Sequence, residues 1–119
     1  MIVSYTIRTR TGVVLYPNDN LALLTSGKIP PNPSEMLSSK IMGEILDTLK
    51  ESFDYIILDT PPVLDFTDSQ ILSTKADGTI LVVRAKKTKK DLVKNSVNLL
   101  KQVNANIIGI VLNRVNLID

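Results

Sequence analysis

The chain has 119 residues, of which 44% are apolar, 22% charged and 4% aromatic, with a net charge of +2; these are the proportions of one small globular domain with an aliphatic core. It contains no cysteine and no histidine, which excludes disulfides, thiolate nucleophiles, histidine-dependent triads and the usual zinc sites, and leaves a hard ion such as Mg²⁺ on oxygen ligands as the metal chemistry within reach. No apolar run approaches the ~20 residues that span a bilayer and no secretory signal pattern is present, so the expected location is the cytoplasm or its membrane face.

Residues 1–20, "MIVSYTIRTRTGVVLYPNDN", carry β-prone Ile2, Val3, Tyr5 and Ile7, a turn residue in Gly12 and a break at "YPNDN". They read as an edge strand or arm. "LALLT", residues 21–25, fits a short buried strand, and the prolines of "SGKIPPNP" make the next loop stiff and extended. Asn32, Pro33 and Glu35 form a helix-start pattern: cap, first-turn proline and capping-box acid. Leu37, Ile41, Ile45 and Leu49 recur four apart, with Met42 and Leu46 beside them. One amphipathic helix is therefore predicted over about residues 33–51.

"DYIILD", residues 54–59, is apolar and β-branched and reads as a strand buried on both faces. Asp68 can cap a short helix through Ile71 and Leu72, ended by "ADG" at 76–78. "TILVVR", residues 79–84, is a second buried strand; Thr88 and Asp91 give a cap pattern for a helix to about Asn104, and "IIGIVLN", residues 107–113, is a third buried strand. Strands alternating with amphipathic helices predict an α/β fold, a mostly parallel sheet with helices on both faces. Residues 21–119 read as one domain, preceded by the arm 1–20.

In such sheets ligands sit outside the carboxyl ends of the strands. The predicted strands end on Thr25–Ser26–Gly27, Asp59–Thr60, Arg84 and Asn113–Arg114, which would converge on one edge. Asp59 has two readings. It is a Walker B-like carboxylate for Mg²⁺ beside a nucleotide, or a strand-end acid accepting bonds from the amides of the next turn. The nucleotide reading needs a phosphate loop. The one Gly-Lys pair, Gly27–Lys28, has Ala22 where the first glycine of GxxxxGK[ST] belongs and Ile29 where the hydroxyl belongs. Arg84, Lys86, Lys87, Lys89, Lys90 and Lys94 crowd one stretch with only Asp91 among them. The plain reading is a solvated helix start, but cations there oppose the helix dipole and hint at an anionic partner: phosphate, a tyrosine-phosphate tail or a headgroup. With so few aromatics, a nucleic-acid partner is not expected.

"LLTSGKIPPNPSEMLSS", "FDYIILDTPPVLDFTDSQIL", "ADGTILVVRAKKTKKDLV" and "IIGIVLNRV" occur in that order. Together they resemble the carboxyl-terminal half of the CpsD/CapB-type bacterial tyrosine kinases of capsule and exopolysaccharide synthesis, related to the MinD/ParA-like ATPases. The resemblance covers about residues 21–116 and implies a P-loop NTPase-like three-layer fold. It also implies ATP and Mg²⁺ as cofactors and a membrane-bound activator, a chain-length regulator of polysaccharide export, as partner, with kinase subunits as a further one. By position, Asp59 resembles the Walker B aspartate, Thr60, Pro61 and Pro62 the loop beside the γ-phosphate, and Asn113 and Arg114 the segment near the adenine. The family's P-loop, its Walker A′ strand and its tyrosine-rich tail have no counterpart in these 119 residues. The expectation is a partial domain, idle alone, or a non-catalytic remnant that binds kinase or activator subunits. In the sheet, residues 2–9 are expected to replace the P-loop strand, or 54–59 to pair directly with 79–84.

Overall fold

The computed structural model describes residues 15–18, 21–24, 28 and 30–116. The expectations for residues 1–14, the Thr25–Gly27 strand end and the strand role of residues 2–9 fall outside them. The described residues form two compact units, one up to Asp59 and one from Thr60 onward.

In the first unit, β1 (Leu15–Asn18) and β2 (Leu21–Leu23) pair antiparallel, Leu15 opposite Leu23 and Asn18 opposite Leu21. Two expectations change here. Tyr16, Pro17 and Asn18 belong to a strand rather than to the break. Proline lacks an amide donor, and it is tolerated because among the described residues β1 pairs along one edge only, in a ladder whose register shifts between Leu15 and Asn18. "LALLT" does not give a buried parallel strand: β2 is three residues long and Leu21 is exposed, because an antiparallel two-stranded ribbon covers neither face.

The single helix predicted over 33–51 is two, α1 (Pro33–Ser38) and α2 (Lys40–Lys50). Ser39 divides them with an extended backbone, φ −65° and ψ 157°. Its hydroxyl donates to the Met36 carbonyl at 2.7 Å and accepts from the Met42 amide at 3.2 Å, closing one helix and capping the next. Pro33 occupies the first turn of α1, but Asn32 makes no side-chain cap; its amide donates to the Glu35 carboxylate instead. Leu46 is the buried apolar residue of α2.

Residues 54–59 form no strand. Ile57 makes an isolated bridge and is exposed, and Tyr55 is 76% exposed. A β-branched apolar run states a preference for a buried ladder, but what it forms depends on the partner and packing it meets. Without a strand at 54–59, the direct pairing of that run with 79–84 does not form either.

In the second unit, α3 (Asp68–Ser73) begins one residue earlier than expected, with Thr67 at the cap position and Asp68 in the first turn. It leads to β3 (Thr79–Arg84), α4 (Lys90–Gln102) and β4 (Ile107–Asn113). β3 and β4 pair in parallel from Thr79–Ile107 to Arg84–Asn113, the β-α-β unit of an α/β fold. Lys89, not Thr88, is at the cap position of α4, and no side-chain cap forms. The Thr88 hydroxyl accepts from the Arg84 amide and so is turned back to the strand end. Val63, Leu72, Val83 and Leu100 are the buried apolar side chains of this unit. On these strands Val82, Ile108, Ile110, Val111 and Leu112 are exposed, Val82 at 61%.

Candidate functional site

Parallel pairing puts the carboxyl ends of β3 and β4 side by side, Arg84 next to Asn113. The ladder runs one step past β3, where the Ala85 amide donates to the Asn113 carbonyl at 2.9 Å. Asn113 then uses its side-chain carbonyl to accept from the Arg114 amide at 2.8 Å. Both strands leave this edge through left-handed residues, Lys86 and Arg114, each at φ 57°. Such a conformation costs a non-glycine residue about 1–2 kcal/mol. Arg84, Asn113 and Arg114 are all exposed, so the edge offers two guanidinium groups and one amide to solvent.

Asp59 is the last residue of the first unit and Thr60 the first of the second. Asp59 is exposed, and among the described residues nothing bonds to its carboxylate. The amides of the following turn are engaged elsewhere: those of Asp65 and Phe66 both donate to the Pro62 carbonyl at 3.2 Å. The reading of Asp59 as an acid accepting from that turn is therefore not met. Thr60 and Pro61 are half-buried, and the loop they open is fastened to α3. The Ser69 hydroxyl donates to the Pro61 carbonyl, and the Gln70 amide reaches the Val63 carbonyl at 3.5 Å.

Sequence reasoning missed Ser69 and Asn106. The Asn106 side-chain amide donates to the Asp77 carbonyl and the Asn106 backbone carbonyl accepts from the Thr79 amide, each at 2.7 Å, which aligns the start of the parallel pair. Asn106 gives only the signal of a polar residue just before an apolar run, and Ser69 that of a small polar residue in a helix start; neither says which loop will be held.

Among the described residues no group of three or more acidic side chains is placed to hold a metal. One free carboxylate suits Mg²⁺, which takes one or two protein carboxylates and completes its shell with water and phosphate. The phosphate itself needs a cradle of amides and a lysine, and no P-loop sequence exists in these 119 residues. The residues present thus fit the metal's side of a nucleotide site and not the phosphate's.

The family model of the AAA domain matches residues 23–113. The chain belongs to the AAA-domain family. It is 36% identical over 96 residues to the tyrosine-protein kinase CpsD of Streptococcus agalactiae, covering 81% of this chain and 42% of that protein. It is 42% identical over 94 residues to the tyrosine-protein kinase YwqD of Bacillus subtilis, covering 79% and 40%. The crystal structure of the chimerical protein CapA2B2 superposes with a TM-score of 0.76 at 41% identity, over 80% of this chain and 42% of that one. The α/β class and the likeness to CpsD-type kinases expected from the motifs are thus as found. The chain spans about two fifths of the length of the relatives it matches.

Proposed function

We propose that this chain is the part of an ATP- and Mg²⁺-dependent protein-tyrosine kinase of capsular or exopolysaccharide synthesis that carries the Walker B aspartate, and that alone it transfers no phosphate. Residues 21–119 are read as that kinase-like domain. Asp59 holds the metal, Thr60 and Pro61 border the terminal phosphate, and Asn113 and Arg114 border the adenine. One observation carries the reading. An exposed carboxylate with no bonding partner among the described residues, followed by a proline-stiffened loop tied down to α3, lies in a chain 36–42% identical to CpsD and YwqD. Phosphoryl transfer depends on positioning and charge neutralisation, and a chain without the phosphate cradle lacks half of both. The site works at the inner face of the membrane, with the activator of polysaccharide export as partner.

Calorimetric titration with Mg·ATP tests this. Weak heat that disappears in Asp59→Asn, without phosphate release, is the expected result. No heat at millimolar nucleotide removes the nucleotide role. It would leave the second reading, a non-catalytic module binding kinase or activator subunits, which the exposed apolar residues of β3 and β4 favour.

A further inference from the structure

Six lysines that the site does not use are exposed together: Lys86, Lys87 and Lys89 in the β3–α4 loop, and Lys90, Lys94 and Lys101 on α4. At ~100° per residue the three on α4 fall within about 40° of one another, a stripe about 16 Å long. Ser96 and Leu100 take the buried side of the same helix. Among the described residues no acid pairs with Lys87, Lys89, Lys90, Lys94 or Lys101; ion pairs form elsewhere, at Lys40–Glu44 and Lys50–Asp47.

This arrangement works against the helix that carries it. Lys89 stands at an uncapped helix start and Lys90 follows it, where the dipole disfavours cations. Lys90 and Lys94 add like-charge repulsion at i,i+4. Solubility alone would not call for charge placed at the least favourable end. The chemistry of the stripe also narrows the partner. Directional reading of phosphate or carboxylate uses arginine forks, and the basic groups of the loop from Lys86 and of α4 are all lysines, with Asp91 the one acid among them. No aromatic residue occurs after Phe66, so there is no platform for nucleic-acid bases. Lysine ammonium groups, which carry no planar fork, suit a surface that is itself fluid and diffusely negative.

We propose that the lysine surface running from the β3–α4 loop along α4 docks this protein directly on a bilayer carrying anionic headgroups. The contact needs no nucleotide and does not rest on the kinase reading.

The test is co-sedimentation of the 119-residue chain, without nucleotide, with vesicles of phosphatidylcholine alone and of phosphatidylcholine mixed with phosphatidylglycerol. Binding to the mixed vesicles only is expected, with loss in about 1 M salt, where the Debye length is about 3 Å. The triple variant K90Q/K94Q/K101Q should bind about a hundredfold more weakly, at roughly fivefold per lysine, with an unchanged circular dichroism spectrum. Should that variant not fold, K86Q/K87Q in the loop should lose about 25-fold on the same arithmetic. Free glycerol phosphate at millimolar concentration should not compete. Equal binding to both vesicles, variants that bind like the parent, or tighter binding to double-stranded DNA or polyglutamate would each overturn the proposal.

Discussion

At the carboxyl end of α4, Asn104 adopts φ 56°. The Ala105 amide donates to the Leu100 carbonyl and the Asn104 amide to the Lys101 carbonyl, both at 3.0 Å, the paired bonds of a Schellman close. Asparagine is the next best residue to glycine in this conformation. Asn104→Gly is therefore expected to hold or raise stability by up to about 1 kcal/mol, and Asn104→Val to lower it by about 1–2 kcal/mol, as read by urea denaturation. The helix end was legible because "VNAN" carries its own turn chemistry. Asp59 was legible as a residue of interest for a different reason, a lone acid after four apolar positions. What surrounds it was not, since exposure and the engagement of the next turn's amides depend on how Pro62 folds the loop.

Elements whose determinants lie within one segment came out where the sequence put them. α4 follows its apolar stripe and β3 and β4 their β-branched runs. The long predicted helix failed at Ser39, although "SS" at 38–39 is a local cue. Periodicity runs straight through the break, because Leu37 and Ile41 keep their spacing. The hydroxyl of Ser39 satisfies a carbonyl of α1 and an amide of α2 at once, an option that a hydrophobicity pattern cannot register. Ser39→Ala removes both bonds. It should cost about 1 kcal/mol and, because alanine favours helix, raise helical content across residues 36–42. Denaturation midpoints and amide exchange over α1 and α2 measure the two effects.

Across the whole molecule, the strand expectations fell into two kinds. β3 and β4 found each other, while residues 54–59, with an equally apolar sequence, formed no ladder. Apolar runs encode burial without naming what buries them, and the same gap explains why Ile110 and Leu112 on β4 are exposed despite reading as core. If those faces stay open in solution, Ile110→Lys should change stability by less than about 0.5 kcal/mol. Leu100→Ala, at a side chain 2% exposed, should cost about 2–5 kcal/mol. Light scattering adds the second axis. Contiguous exposed apolar surface drives association, so the parent chain should grow in apparent mass with concentration and Ile110→Lys should do so less. A cost of several kcal/mol for Ile110→Lys, with the parent monodisperse, would mean instead that β4 is covered in the free chain. In that case the apolar pattern of the strand would be describing this chain's own packing, and a partner would not be needed to explain it.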